Sequence, residues 1–182
     1  AYGDPESLPA KESFRAKPMS PYALQKFVGE EYARLFAFLY GIETISLRYF
    51  NVYGPRMIGT GAYVTVIKIF LNQRAKGQPL TVVGDGEQSR DFTQVFDVVR
   101  ANILAMESKK VWNGEVVNIG PGGSHTVNKI ADMIGGKRVH LPPRVEPRHS
   151  LADNTFAKRL LGWEPREDLP TTIKKFLSGE YK

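Results

Sequence analysis

Apolar-periodic stretches alternate along the chain with breaks rich in glycine and proline. The longest stretch opens at Ser20-Pro21, a serine N-cap followed by proline at the first helical position. Phe27, Val28, Tyr32, Leu35, Phe36 and Leu39 then recur at mixed three- and four-residue spacings. This pattern predicts a helix over residues 21–40, with Gly41 where a C-cap glycine belongs. Residues 43–50, ETISLRYF, form a short β-rich run ended by Gly54-Pro55. A helix followed by a short buried strand is the rhythm of a parallel α/β sheet. Further helices are predicted over 63–76, 95–108, 126–134, 153–161 and 170–177, and strands over 80–83 and 116–119. Residues 1–20, with Pro5, Pro9 and Pro18, are expected to be irregular. The total is about four strands, fewer than a complete doubly wound sheet needs. No internal repeat or low-complexity segment interrupts the pattern, and no linker marks a domain boundary.

Composition narrows the class of protein. The chain has 182 residues, 42% of them hydrophobic and 24% charged, ordinary globular values. No apolar run approaches the ~18 residues of a membrane span. The opening AYGDPESLP has neither a basic nor an apolar stretch, so no secretory signal is expected. Cysteine is absent, which excludes disulfides and thiolate metal sites and is compatible with a cytoplasmic location. The net charge of +6 is compatible with an anionic ligand, with nucleic acid, or with a soluble surface that has surplus Lys and Arg. The charges are dispersed, and the densest cluster, Lys137, Arg138, Arg144 and Arg148, suits a diphosphate better than a long nucleic-acid track. His125, His140 and His149 lack metal-ligand spacing, and no metal is expected.

Tyr22 and Lys26 stand four apart on the predicted helix and therefore share a face. An ammonium beside a phenol favours the phenolate, and such a tyrosine can take a proton from a hydroxyl. By spacing alone the signal is weak, because Tyr-x-x-x-Lys also arises as a partly buried tyrosine beside a solvated lysine.

The surrounding motifs give it context. SPYALQK is followed by LRYFNVYGPR (47–56), PLTVVGDGEQSRDF (79–92), VFDV, NIGPGG (118–123) and HSLADNTFAKRLLGWEP (149–165). In this order, over essentially the whole chain, they resemble the extended short-chain dehydrogenase/reductases, the NAD-dependent epimerase/dehydratase family, near UDP-glucose 4-epimerase. The resemblance implies an α/β fold: the carboxy-terminal part of a Rossmann-type doubly wound sheet plus a small α/β substrate-binding domain. Residues 1–55 would belong to the NAD-binding part, with returning segments near 91–120, and residues 56–182 mainly to the nucleotide-sugar-binding part. Tyr22 would be the catalytic base. Lys26 would tune it and hold the nicotinamide ribose of NAD, with Tyr49 along the cofactor cleft. Asn51, Arg90, Arg144 and Glu146 would meet the diphosphate and ribose of a UDP-sugar, and Leu80, Thr81 and Val82 would lie beside the uracil. The helix at 21–40 would pair two copies into a homodimer. Simpler roles stand beside these: Asn51 as the cap of a turn, Arg90 as an ion-pair partner of Asp91 or Asp97, and Tyr49 and Phe50 as core.

Two departures from the family pattern qualify these expectations. The late Arg-x-Gly-Asp/Glu motif is here Arg144-Val145-Glu146, one residue tighter, and Arg148 is an alternative phosphate contact. A dinucleotide cradle needs a glycine-rich turn between strand and helix. The Gly-x-Gly units at Gly59/Gly61, Gly84/Gly86 and Gly120/Gly122 lack that setting. The family's catalytic Ser or Thr has no counterpart either. The expectation is that roughly 100 or more residues of the Rossmann part precede the chain, and that the chain alone neither holds NAD nor turns over substrate. A 4,6-dehydratase, a UDP-glucuronate decarboxylase, and a non-catalytic nucleotide-sugar- or RNA-binding derivative are the alternatives.

Overall fold

A computed structural model describes residues 2–59, 61 and 64–181. In chain order the elements are α1 (Pro21–Tyr40), β1 (Thr44–Tyr49), α2 (Val66–Ala75), β2 (Leu80–Val83), β3 (Ser89–Asp91), α3 (Val95–Met106), β4 (Asn113–Ile119), β5 (Ser124–Thr126), α4 (Val127–Ile134), β6 (Arg138–Leu141), α5 (Thr155–Leu161) and α6 (Leu169–Leu177). Helix α1 has the expected ends. The Ser20 hydroxyl accepts from the Ala23 amide at 3.1 Å, and Gly41 adopts φ +65° as its N–H closes onto Ala37 O. Helix α2 starts later than residue 63, which itself lies outside the described residues, because Thr65 caps it by accepting from Lys68 N. The sequence pattern did not announce β3, β5 and β6, whose three or four residues are too short to display an alternation.

The strands form three two-stranded sheets. β1 and β4 run parallel, as do β2 and β6, whereas β3 and β5 are antiparallel. One core sits between β1, β4, α3 and α5, where Val117, Ile119, Ala101, Ala105, Ala157 and Trp163 are buried with Ile45 and Leu47 against them. A second joins α2, β2, α4 and α6, with Ile67, Phe70, Leu80, Val82, Ile130, Ile134 and Ile173. Helix α4 shows why: Val127, Ile130, Ala131 and Ile134 recur at helical spacing and all are buried.

On the other face of β1, helix α1 is fixed by polar contacts. Thr44 Oγ1 donates to Ala33 O at 2.9 Å. Arg48 donates from Nε and Nη2 to Glu30 at 2.8 and 2.6 Å. These contacts run α1 antiparallel to β1, so its first turn reaches past the carboxyl end of the strand. The irregular segment before α1 closes over that end. Tyr2 is buried and donates to Asn118 Oδ1 at 2.6 Å, while Asn118 Nδ2 donates to Ala10 O at 2.9 Å. Ala10 in turn bridges to Ala152. A run read as irregular is thus tied down by hydrogen bonds between positions over a hundred residues apart, which no local pattern reveals.

Candidate active site

Ligands of open parallel sheets bind beyond the carboxyl ends of the strands. Tyr22 and Lys26 stand there. Glu30 is level with Arg48, and the eight residues back to Tyr22 extend about 12 Å further along the helix. Lys26 Nζ lies 5.4 Å from the centre of the Tyr22 ring, and Tyr22 is half-exposed. The shared helical face therefore does bring phenol and ammonium together. Tyr49 ends β1, but strand alternation turns its ring to the α3 face, opposite α1, where its hydroxyl donates to Asn102 Oδ1 at 2.9 Å. Phe50 is core, against Tyr2, Ala10 and Ala152.

Asn51 leaves β1 at φ +28°, a left-handed backbone that asparagine tolerates better than most residues. Its Nδ2 donates to Asp91 O at 2.9 Å and to Ser150 Oγ at 3.2 Å. Asn51 thus holds the turn together and ties the end of β1 to β3, next to Arg90. Arg90 pairs with neither Asp91 nor Asp97. Its Nη2 donates to Glu146 at 3.0 Å, and its Nη1 donates to the carbonyls of Ser89 and Arg148 at 2.9 and 3.2 Å. Arg144 Nε stands 4.0 Å from the other oxygen of Glu146 and is largely exposed. The structure therefore gathers Arg90, Glu146 and Arg144 into one cluster, with the carboxylate between two guanidiniums. Arg148 is engaged elsewhere, in a two-bond pair with Asp85 at 2.9 and 2.7 Å. That pair holds the Asp85 carboxyl down at about 2, aided by the Glu87 amide.

On β2 the expected contacts divide by alternation. The side chains of Leu80 and Val82 are fully buried in the core, whereas Thr81 and Val83 are only partly covered. The Thr81 hydroxyl accepts from Gln73 Nε2 at 2.8 Å, and its amide donates to Gln73 Oε1 at 3.1 Å. Three consecutive strand residues cannot all turn their side chains to one ring.

The glycine turn after β4 serves the fold. Asp91 is fully buried, and its Oδ2 accepts from the amides of Gly122 at 3.1 Å and Ala152 at 2.9 Å. Burial pushes this carboxyl up to about 6 despite those amides. A Cβ on Gly120 would come within 2.6 Å of Ala152 Cβ and 3.1 Å of Asp91 Oδ2, so only glycine fits. Sequence reasoning considered Asp91 only as a partner for Arg90. Its clue was its place inside a strand facing the core, visible only once β3 is known.

Tyr22 and Lys26 present a hydroxyl and an ammonium side by side on α1. Two of the Gly-x-Gly units are engaged within the fold. The amides of Gly122 and Gly123 point to Asp91. A Cβ on Gly86 would meet Asn128 Oδ1 at 2.4 Å, so that turn is already filled. Among the described residues no group of three or more His, Asp or Glu could hold a metal ion.

A helix beside the carboxyl end of the parallel β1–β4 pair, an end that Asn51 joins to the arginine-bearing strand β3, is the arrangement of a Rossmann-type α/β protein. The chain belongs to the NAD-dependent epimerase/dehydratase family, whose sequence profile matches residues 1–120. It is 40% identical over 183 residues to a Methanocaldococcus jannaschii protein named for UDP-glucose 4-epimerase activity, covering 97% of this chain and 58% of that relative. UDP-glucose 4-epimerase of Thermotoga maritima, crystallised with UDP-glucose, matches with a TM-score of 0.89 at 38% identity, over 98% of this chain and 60% of that one. UDP-glucuronic acid 4-epimerase of Bacillus cereus, crystallised with UDP-glucuronic acid and NAD, gives 0.89 at 30% identity, over 99% and 59%. The chain thus spans less than two thirds of the length of these relatives. No helix among the described residues is long and apolar enough to cross a membrane.

Proposed function

We propose that the chain carries the catalytic tyrosine and the nucleotide-sugar contacts of an NAD-dependent UDP-sugar 4-epimerase. One observation supports this most. Asn51 joins the end of β1, beside which Tyr22 and Lys26 stand, to the strand that presents Arg90. A base and a diphosphate-binding cluster therefore open on the same edge. Tyr22 removes the proton of the sugar C4 hydroxyl. Lys26, with its ammonium over the Tyr22 ring, holds the nicotinamide ribose of NAD. NAD, when bound, would supply the hydride acceptor and, in its reduced form, the donor for the hydride's return to C4. Tyr22 returns the proton after the sugar has turned its other face.

Arg90 and Arg144 hold the diphosphate, a task suited to the planar guanidinium fork, and Glu146 accepts from the ribose hydroxyls. Thr81 and the backbone of Leu80 and Val82 line the uracil. Two copies pair through α1, whose Tyr32, Phe36 and Tyr40 form an exposed aromatic ladder with ring centres 6.5 and 5.2 Å apart.

Calorimetry tests the substrate reading. UDP-glucose binds the 182-residue chain, and Arg90→Ala weakens binding at least about tenfold, the cost of losing one charge-assisted contact. Equal affinity in the variant would contradict the assignment.

A further inference from the structure

Strand β5 sets His125 directly opposite Arg90 in the antiparallel ladder. Opposed residues of such a pair turn their side chains to the same face, with Cβ atoms roughly 5 Å apart. Ser89 and Asp91 are buried on the other face of β3. The imidazole therefore shares a face with the guanidinium that contacts Glu146. Neither motif nor spacing singles out His125 for this position.

We propose that His125 is a further anion contact of the UDP-sugar diphosphate, binding opposite Arg90 and taking up a proton as the ligand arrives. The proposal rests on the reading of Arg90 as a diphosphate contact. Arg90 lies opposite His125 on β3, and Lys129 on α4 acts on it. The charged groups of the neighbouring segments are Arg144, Glu146, Arg148 and His149 on the loop after β6, and Asp85 and Glu87 on the β2–β3 turn. Glu146 is engaged by Arg90 and Asp85 by Arg148, while Glu87 accepts from Asn128. His149 Nδ1 lies 2.9 Å from Ser89 Oγ, on a residue of the opposite face. Asp91 is buried on that opposite face as well.

In the free chain, burial and then the nearby Lys129 hold His125 below its ordinary value of 6.5. It is therefore neutral at pH 7 and costs nothing in repulsion with Arg90. A UDP-sugar brings two phosphodiester charges to this face, and opposite charge favours the imidazolium. The proton comes from solvent and ends on the imidazole, and no covalent bond of the ligand changes. Uptake of a proton on binding makes affinity rise as pH falls.

UDP-glucose is the right probe because both its phosphates are diesters with fixed charge across the working range. Calorimetry on the 182-residue chain from pH 5.5 to 8, in two buffers of different ionisation enthalpy, should show proton uptake and roughly tenfold tighter binding at the acid end. His125→Gln should bind with a flat pH profile and about the wild-type affinity at pH 8, where His125 is neutral anyway. Lys129→Gln should move the midpoint to higher pH, and His149→Asn should leave the profile unchanged. A flat wild-type profile, or a wild-type profile retained in His125→Gln or lost in His149→Asn, overturns the proposal. Two different results sink the underlying diphosphate reading and the proposal with it: no UDP-glucose binding by the wild type, or undiminished binding by Arg90→Ala.

Discussion

Asp91 serves the fold, and Tyr22 carries the proposed chemistry. Asp91 is a buried carboxylate whose Oδ1 lacks a hydrogen-bond partner among the described residues, and burial raises it to about 6. The folded chain therefore binds more protons than the unfolded one between about pH 4 and 6, and stability falls as pH rises through that window. The loss should amount to roughly 3 kcal/mol at neutral pH. Urea unfolding at pH 4.5 and 7 should show it, and Asp91→Asn should remove most of the slope while keeping an acceptor for Gly122 and Ala152. For Tyr22 the prediction concerns rate. With NAD-binding sequence supplied ahead of residue 1, so that the cofactor is held, Tyr22→Phe should slow UDP-galactose conversion by about 10²–10⁴-fold with UDP-glucose affinity nearly unchanged. A variant that turns over normally would remove Tyr22 from the mechanism.

At this scale the sequence showed the Tyr22–Lys26 pairing, because a helix makes positions four apart neighbours. It did not show that Arg90 and Glu146 meet, because 56 residues and a strand too short to recognise lie between them. Nor did it show which residues of β2 turn outward, because an apolar run such as LTVV carries no alternation to read.

Among the elements, α1 depends on polar anchoring more than on packing. Ala37 is its one buried residue, and the Glu30–Arg48 pair, with side chains 9% and 12% exposed, joins it to β1. Arg48 also stacks 4.7 Å from the Tyr2 ring, and one of its nitrogens, Nη1, has no hydrogen-bond partner among the described residues. Burial keeps the Tyr2 hydroxyl above its ordinary value, and Arg48 works in the opposite direction. Removing one member of such a pair leaves a buried charge uncompensated, so Glu30→Ala should cost about 3–5 kcal/mol in denaturant unfolding. A loss of under about 1 kcal/mol, the range of a surface pair, would show that α1 is held by something else. The caps of α1 were legible because Ser-Pro and glycine act locally. The anchor was not, since Glu30 and Arg48 look like ordinary surface charges until β1 is laid beside α1.

The whole molecule presents apolar faces on two of its helices. On α1, Phe38 is 81% exposed, and Tyr32 and Tyr40 are 59% and 66% exposed. On α3, Phe96, Val99, Ile103 and Met106 form an exposed stripe at helical spacing, while Val98, Ala101 and Ala105 fill the core. Contiguous apolar surface of this kind marks contact sites. Pairing through α1 predicts a concentration-dependent dimer in sedimentation, reduced to monomer by Phe36→Glu. A dimer that persists in that variant would move the interface away from α1. The parallel α/β class was legible from the order of helix, strand and glycine break. The division into three small sheets was not, because pairings such as β1 with β4 depend on segments far apart in the chain.

The proposed function places UDP-sugar binding along one edge of the molecule. Backbone amide NMR of the 182-residue chain titrated with UDP-glucose tests it most directly. Shifts should concentrate at Asn51, Thr81, Arg90, His125 and Arg144 to Glu146. Shifts confined to the cleft of about 370 Å³ between α2 and α6, lined by Lys68, Asn72, Phe176 and Tyr181, or no shifts at millimolar ligand, would contradict it.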